Sequence, residues 1–167
     1  MLPITLSPET TRVGLIGQGD ALGRRAALLV AAGVSATLLP SDADEAELAP
    51  LHLLFIAGLD ALASRALFSK ARGLGVLVNV EDAPEICDFH VPALVRRGDL
   101  LLTASTGGKA PALSRQLREW LAGQFGPEWS DRLADVESAR KDWRAEGLAP
   151  SEVSERTRGF VTERGWL

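Results

Sequence analysis

Two polar segments about twenty residues apart combine an ionisable group with groups that bind an anionic ligand. Residues 79–84 read Asn-Val-Glu-Asp-Ala-Pro and place Asp82 directly after an apolar run, where a carboxylate could accept or deliver a proton. Residues 104–111 read Ala-Ser-Thr-Gly-Gly-Lys-Ala-Pro, a small-residue loop that leads into a helix whose first amides could bind an anion. A second interpretation of Asp82 stays open, in which it is a turn residue bonded to nearby backbone amides.

A third segment, residues 17–23, reads Gly-Gln-Gly-Asp-Ala-Leu-Gly between an apolar run and a helical pattern. In a dinucleotide-binding loop, such glycines let the backbone approach a pyrophosphate, and an acidic residue further on binds a ribose hydroxyl. Asp42 has the position of that acidic residue. The third glycine comes one place late, so the pattern also fits a simple strand-to-helix turn, and Asp42 also fits a solvated acidic loop.

The composition excludes several classes of protein. With 167 residues, 46% of them hydrophobic, the chain can build one ordinary core with an appendage. The balance of 18 basic against 22 acidic residues, with no basic block, predicts no nucleic-acid partner. No apolar run is long enough for a membrane span, and we expect no signal peptide. Cys87 is the single cysteine, which excludes an intramolecular disulfide and favours a cytoplasmic location.

Strand and helix patterns alternate in the first half of the chain, which predicts an α/β fold with a parallel sheet. The strands are predicted at residues 13–16, 35–39, 51–57 and 76–80, and the helices at residues 21–32 and 61–72. The connection 40–50 is too short for a crossover helix and another strand, so it holds at most two helical turns.

The second half of the chain is mostly helical. Two short strands are predicted at residues 89–91 and 100–104, joined by a turn-like segment. Helices follow from residue 110, at 128–145 and at 151–164, and the first of them has one apolar face.

Four motifs in a fixed order closely resemble the siroheme synthase N-terminal module, the family of precorrin-2 dehydrogenases, some of which are also sirohydrochlorin ferrochelatases. They are residues 79–84, 89–93 (Phe-His-Val-Pro-Ala), 96–100 (Arg-Arg-Gly-Asp-Leu) and 105–113 (Ser-Thr-Gly-Gly-Lys-Ala-Pro-Ala-Leu). The resemblance implies a shortened Rossmann-like domain over residues 1–85, a dimerisation and substrate-loop segment over 86–112, and a helical domain over 113–167.

The resemblance also implies a function. Family members are homodimers that oxidise precorrin-2 to sirohydrochlorin with NAD in siroheme biosynthesis, and some then insert ferrous iron into this tetrapyrrole. Asp82 matches the family's catalytic aspartate, a proton acceptor. The implied NAD-binding residues are Gly17, Gly19, Asp20, Ala21, Ser41 and Asp42. The implied substrate-binding residues are Asn79, Ser105, Thr106, Gly107, Gly108 and Lys109. We expect no fixed metal site, since the two histidines lie far apart in the chain and have no ligand spacing.

The many carboxylates of a tetrapyrrole need cations in the binding site. Basic residues close to the last two motifs could supply them, or could form a solvated basic surface: Arg96, Arg97, Lys109, Arg115 and Arg118. Cys87 is interpreted as a small packed residue, with a redox or metal role as the alternative.

The chain departs from the family in its cofactor domain. Residues 40–50 replace a considerably longer connection, and the motif at the nicotinamide side has become Ile-Ala-Gly-Leu-Asp at residues 56–60. Three hypotheses follow: a dehydrogenase with a trimmed cofactor domain, a tetrapyrrole chelatase that does not need NAD, and a non-catalytic tetrapyrrole- or nucleotide-binding protein. The first requires that the side chains of Leu22 and Leu59 leave the cofactor cleft free.

Overall fold

The computed structural model describes residues 2–167, which form two compact units, one ending at Val91 and one beginning at Pro92. Phe89 and Val91 pack against the core of the first unit, so this unit extends beyond residue 85. The three-part division inferred from the family resemblance stays a prediction.

The first unit is an α/β sandwich around one parallel sheet, as the sequence predicts. Its elements in chain order are β1 (Val13–Gly17), α1 (Gly19–Ala31), β2 (Thr37–Leu38), α2 (Glu45–Leu48), β3 (Leu53–Ala57), α3 (Ala61–Gly73), β4 (Leu77–Val80) and a 3-10 turn (Pro84–Ile86). The four strands are parallel in the order β2-β1-β3-β4. Because Gly17 lies opposite Ala57 and Ile56 opposite Val80, β1, β3 and β4 end at the same edge of the sheet.

Alternate residues of the strands pack against helices on the two faces of the sheet. Leu29 of α1 is buried with Leu15 and Phe55 on one face. Leu67 of α3 is buried with Leu54 on the other face. Because both faces are covered, the strands are almost continuously apolar, as expected for a parallel sheet.

The strand β2 is a short edge of the sheet. Only two residues form it, whereas the sequence predicts a strand over residues 35–39. The chain returns to the sheet through the single turn of α2, so no described strand pairs with the outer side of β2, and Leu38 is 66% exposed. A hollow of about 650 Å³ lies next to this edge and is lined by residues that precede β1 and β3 and by residues of β2 and α2.

The second unit is a β-hairpin followed by three helices. Its elements are β5 (Ala93–Arg97), β6 (Leu100–Ala104), α4 (Pro111–Gln124), α5 (Trp129–Ala145) and α6 (Pro150–Glu163), and the two strands are antiparallel. The turn between the strands contains Gly98 at φ +57°. None of the helices described in residues 2–167 is long and apolar enough to cross a membrane.

The predicted strand at residues 89–91 is wrong, because the first strand of the hairpin begins at Ala93. Phe89 instead packs edge-to-face on the ring of Phe55, with a centroid distance of 5.2 Å, and so belongs to the core of the first unit. Pro92 has no N–H to donate to a strand ladder, which is consistent with a start of the hairpin after it.

The apolar face of α4 is real but exposed. Leu113, Leu117 and Trp120 lie on it at helical spacing, and Trp120 is 60% exposed. In contrast, Val95 of β5 is buried in the second unit.

Candidate functional site

The predicted cofactor loop lies at the carboxyl edge of the sheet, where the chain passes from β1 to α1. Gln18 donates its backbone N–H to the carbonyl of Ala57 at 3.1 Å, which fixes the loop against the end of β3. A Cβ atom at Gly17 would overlap that carbonyl, and one at Gly58 would overlap the carbonyl of Gln18. Glycine is therefore required at both positions by close backbone approach. The strand order reverses between β1 and β3, and ligands of open α/β sheets bind in this crevice.

The start of α1 has the properties of an anion-binding site. Gln18 precedes the helix and caps it with no side-chain hydrogen bond, so the amides of the first turn remain available for a ligand. Gly19 has φ +59°, and a Cβ built on it would meet no atom within 4 Å. The helix start is open and uncapped, and close backbone contacts at Gly17 and Gly58 hold the loop before it. These properties fit the pyrophosphate of a dinucleotide.

The two leucines that could have blocked the cofactor cleft pack into the cores. Leu22 is partly buried against the core on the α1 face, and Leu59 against the core on the α3 face. Asp60, in the motif that departs from the family, accepts a hydrogen bond from the N–H of Ala63 at 2.8 Å and thereby caps α3. The carboxylate of Asp60 is thus occupied by the hydrogen bond that caps α3.

The acidic loop after β2 contains two aspartates with different surroundings. Asp44 accepts a hydrogen bond from the N–H of Glu47 at 2.9 Å and begins α2 with a capping box. Ser41 and Asp42, the predicted ribose-binding residues, are exposed. An exposed carboxylate after the second strand of the fold fits a ribose hydroxyl donor.

Asp82 occupies a strained turn at the end of β4. Its φ of +60° makes it the only residue in the described chain, apart from glycines, with a left-handed backbone. The N–H of Ala83 donates to the carbonyl of Val80 at 3.5 Å, which closes a four-residue turn with Asp82 in third position, a place that usually takes glycine or asparagine. Asp82 is exposed, so its carboxylate is accessible to a ligand.

Two arginines of α1 surround the carboxylates at this edge. Arg24 forms an ion pair with Glu81 at 3.5 Å, and the Glu81 side chain is only 18% exposed. The guanidinium of Arg25 lies over the ring of Phe55, with its carbon 5.1 Å from the ring centroid. Burial lowers the pKa of Arg25 below its ordinary value, while the nearby carboxylates of Glu81 and Asp82 act in the opposite direction. The carboxyl edge is therefore a mixed charge cluster.

Asn79 is a buried member of β4 with incomplete hydrogen bonding. It is 6% exposed, and its Nδ2 donates to the carbonyl of Phe89 at 2.9 Å. Its Oδ1 has no hydrogen-bond partner in residues 2–167. The contact with Phe89 gives Asn79 a clear structural task, and its predicted part in substrate binding stays a prediction.

The small-residue loop of the second unit is held by its own hydroxyl groups. The Oγ1 of Thr106 accepts a hydrogen bond from the N–H of Ala110 at 3.2 Å and lies 3.0 Å from the Oγ of Ser114. The N–H of Gly107 donates to the Oγ of Ser105 at 3.3 Å.

The helix after this loop starts at Pro111 with Ala110 at its N-cap, in agreement with the predicted start. Gly107 and Gly108 lie before Ala110, so their amides belong to the loop and not to the first turn of the helix. Gly107 and Gly108 have φ values of +65° and +78°, and Lys109 is exposed beside them. The predicted anion-binding amides are thus loop amides.

The basic residues expected near the substrate differ in their contacts, since one is bonded to the backbone of α4 and three are exposed. Arg97 donates hydrogen bonds to the carbonyls of Phe125 at 2.8 Å and Ala122 at 3.3 Å, and so holds the C-terminal end of α4. Arg118 is exposed and pairs with its neighbour Glu119 at 3.5 Å. Lys109 and Arg115 are exposed, and both stay candidates for binding anionic groups.

Metal ligation has no cluster to support it in the described residues. Nowhere in residues 2–167 do three or more His, Cys, Asp and Glu side chains come together as a group that could hold a metal ion.

Comparison with known proteins agrees with this geometry. A family model described as "Putative NAD(P)-binding" matches residues 4–93, more than half of the chain. The chain belongs to this family. Its first unit, which ends at Val91, accordingly accounts for nearly all of the matched segment.

The chain is also similar to curated siroheme synthases. The chain is 34% identical over 137 residues to siroheme synthase of Methylobacillus flagellatus, a match that covers 70% of this chain and 29% of the relative. It is 34% identical over 175 residues to siroheme synthase 2 of Aeromonas salmonicida, which covers 94% of this chain and 36% of the relative. The chain thus spans about a third of the length of the relatives it matches and is similar to that part of the siroheme synthases.

A solved structure supports the fold over the whole chain. The structure titled "SirC, precorrin-2 dehydrogenase" aligns with a TM-score of 0.78 and 18% sequence identity, and covers 100% of this chain and 92% of that chain. At this identity the likeness establishes the architecture alone.

Sequence reasoning missed three side chains near Asp82. Arg24, Arg25 and Glu81 were given no role, although the structure brings them to the carboxyl edge. The helical spacing of Leu22, Ala26 and Leu29 puts Arg25 beside the buried stripe of α1, which is the signal that could have indicated its burial.

Proposed function

We propose that this chain is an NAD-dependent precorrin-2 dehydrogenase that forms sirohydrochlorin in siroheme biosynthesis. The observation that carries the proposal is Asp82, a carboxylate in a strained left-handed turn at the edge where an uncapped helix start is open to a dinucleotide. Strained backbone persists where the surroundings maintain it, and it is common at functional sites. The similarity to siroheme synthases supports the choice of substrate.

The oxidation removes two hydrogens from the tetrapyrrole, one as a hydride and one as a proton. NAD, when bound, supplies the acceptor for the hydride. The amides of Gly19, Asp20 and Ala21 hold its pyrophosphate, and Ser41 and Asp42 bind the adjacent ribose. The carboxylate of Asp82 accepts the proton and releases it to water.

The substrate is anionic, so its binding requires donors. Ser105, Thr106 and Lys109 with the loop amides of Gly107 and Gly108 bind substrate carboxylates in this proposal. Support comes from the exposure of Ser105 and Lys109 and from the positive φ of both glycines. The Thr106 hydroxyl also stabilises this loop, through its contacts with Ala110 and Ser114.

The proposal includes a homodimer in the cytoplasm. The exposed apolar face of α4, formed by Leu113, Leu117 and Trp120, lies directly after the dimerisation segment 86–112 that the family resemblance implies. It supports association with a second copy as a further surface beyond that segment, because water disfavours an exposed apolar surface.

The deciding experiment incubates the purified chain with precorrin-2 and NAD⁺ and follows NADH formation. We expect NADH in proportion to precorrin-2 consumed. Asp82→Asn is the matched variant, because asparagine tolerates the left-handed backbone and has nearly the same size, but accepts no proton. Turnover should fall about 100- to 10,000-fold, the usual contribution of a general base, with unchanged thermal stability. No NADH from the wild-type chain, with no NAD⁺ binding by calorimetry, would exclude the dehydrogenase.

A second candidate function is metal insertion into sirohydrochlorin without NAD. The trimmed connection between β2 and β3 favours it, since the adenosine end of a cofactor would meet only a two-residue edge strand there. Ferrous iron is then a substrate. Insertion of iron at equal rates with and without NAD⁺, in a chain that forms no NADH, would support this candidate.

A further inference from the structure

The turn that holds Asp82 is unusual because its conformation suits glycine better than aspartate. A left-handed backbone brings the Cβ atom of an L-residue close to the following carbonyl oxygen and is therefore unfavourable. Asp82 has φ +60°, and it is exposed, so packing of its own side chain does not maintain the conformation. Other groups must hold the turn.

The thiol of Cys87 contacts the chain on both sides of this turn. Its Sγ lies 3.1 Å from the carbonyl oxygen of Val80, 3.2 Å from the Val80 nitrogen and 3.3 Å from the carbonyl oxygen of Ala83. A thiol can accept the Val80 N–H and share its own proton between the two carbonyls. One sulfur atom thus bridges the first and the last residue of the turn.

Cys87 is itself held in place by the next residue. Asp88 donates its N–H to the carbonyl of Val78 at 2.8 Å, and its Oδ2 accepts the N–H of Val78 at 3.1 Å. Asp88 also pairs with Arg72 of α3 at 3.5 Å. The thiol therefore contacts Val80 from a segment that is hydrogen-bonded to β4. Because this segment is held in place, the backbone of the turn follows the position of the thiol.

The surroundings of Cys87 do not suit a redox or metal role. Burial raises the pKa of its thiol above the ordinary value, which keeps it protonated at neutral pH, and the chain has no second cysteine. A protonated thiol is a hydrogen-bonding group of small size.

We propose that Cys87 is a positioning residue for Asp82: its thiol joins Val80 to Ala83 and keeps the turn in the conformation that presents the Asp82 carboxylate. The role deepens the proposed function and rests on it, since it assumes that Asp82 accepts the proton. In this role Cys87 acts through the backbone of the turn.

The first test compares Cys87→Ala with Cys87→Ser in the full chain. Alanine removes the bridge, whereas serine keeps a group that both donates and accepts. We expect Cys87→Ala to lower kcat about 10- to 100-fold, the effect of a small misplacement of a catalytic group, with an unchanged KM for NAD⁺. Cys87→Ser should keep kcat within about threefold of the wild type. A wild-type kcat in Cys87→Ala, or an equal loss in both variants, would overturn the proposal.

The second test does not depend on activity. Asp82→Gly relieves the left-handed strain and should raise Tm by about 2 °C in the wild-type background. In the Cys87→Ala background the turn is free to relax, so the same substitution should raise Tm by less. Equal shifts in both backgrounds would overturn the bridge, because additive effects mean that the two positions are uncoupled.

The two tests separate the two proposals. A chain that forms no NADH but shows the coupled Tm shifts retains the bridge and loses the dehydrogenase. A chain that forms NADH with additive shifts and a fully active Cys87→Ala variant retains the dehydrogenase and loses the positioning role.

Discussion

Asp42 and Asp44 are two residues apart in one acidic loop but have separate tasks in the structure. The Asp44 carboxylate is occupied by the N–H of Glu47, whereas Asp42 is exposed after β2. A sequence pattern alone does not show which of the two carboxylates is the candidate for ribose binding, because both follow the second strand at nearly the spacing expected of a ribose ligand.

Substituting each of these aspartates by alanine should have opposite consequences. Asp44→Ala should lower the free energy of unfolding by about 1 kcal/mol, because a helix cap is lost, and leave NAD⁺ affinity nearly unchanged. Asp42→Ala should change the free energy of unfolding by less than about 0.5 kcal/mol and weaken NAD⁺ binding about 3- to 10-fold. Urea unfolding and calorimetry measure the two effects. The same result from both variants would contradict this assignment.

The protonated thiol of Cys87 also gives stability a pH dependence. Its pKa is raised in the folded chain, mainly by burial, while the unfolded chain ionises at the ordinary value of about 8.5. Above that pH the thiol of the unfolded chain loses its proton before the thiol of the folded chain does. This ionisation lowers the free energy of the unfolded state relative to the folded state. The stability from this group is therefore complete below about pH 8.5 and declines as the pH rises towards the folded value.

We expect the free energy of unfolding of the wild type to fall above about pH 8.5 relative to Cys87→Ser, whose hydroxyl does not titrate in this range. Urea unfolding curves at a series of pH values measure the difference. Parallel curves for the two proteins at high pH would show that the thiol ionises equally in both states.

At the scale of elements, the loop between β1 and α1 depends on where a glycine lies rather than on the number of glycines. Gly17 meets the backbone of β3, while Gly23, inside α1, has no atom within 4 Å of where a Cβ would be. The motif spacing that sequence comparison emphasises includes both, but only Gly17 has a packing reason to be glycine.

Alanine at these two positions should therefore act in opposite directions. Gly17→Ala should destabilise the chain by about 3 kcal/mol or more, because the new methyl group overlaps the carbonyl of Ala57 and the backbone must move. Gly23→Ala should stabilise it by about 0.5–1 kcal/mol through higher helix propensity. Thermal and urea unfolding give both values. A stable Gly17→Ala variant would mean that β1 and β3 can separate at this edge.

The sequence predicted those elements whose signals are local. Apolar runs identified β1, β3 and β4, and Asp60 occurs where α3 begins. The first strand of the hairpin was misplaced because Phe89 finds its partner, Phe55, far away in the chain.

The candidate site was predictable to a similar extent. The motif proposed Asp82 as a candidate, but its left-handed backbone and the contact of Cys87 with Ala83 follow from no spacing rule. Arg25 was missed because its burial results from the packing of α1 on β3. Local sequence patterns predict helices and strands, whereas the burial and the contacts of the side chains depend on tertiary packing.

For the whole molecule, the exposed leucines and tryptophan of α4 are the surface on which we test the proposed homodimer. Leu117 is on this apolar face, and Leu62, 82% exposed on α3 of the first unit, is a matched leucine elsewhere on the surface. A lysine buried in an interface would remain unpaired in an apolar setting, which is costly, whereas a lysine at a free surface position is tolerated.

We expect the wild-type chain to sediment as a dimer, Leu117→Lys to weaken dimerisation at least about tenfold, and Leu62→Lys to behave as the wild type. Sedimentation velocity over a range of concentrations measures all three. A monomeric wild type, or a Leu117→Lys variant that dimerises normally, would exclude this face as the interface.

The outer edge of β4 has a consequence for the behaviour of the protein at high concentration. Its Val78 and Val80 amides are occupied by the Asp88 carboxylate and the Cys87 thiol instead of by a neighbouring strand. At the opposite edge of the sheet, β2 offers only two residues. Open sheet edges are the templates on which strands of other molecules add during fibril growth. Both margins of this sheet are thus poor templates, which protects the folded chain against edge-to-edge aggregation.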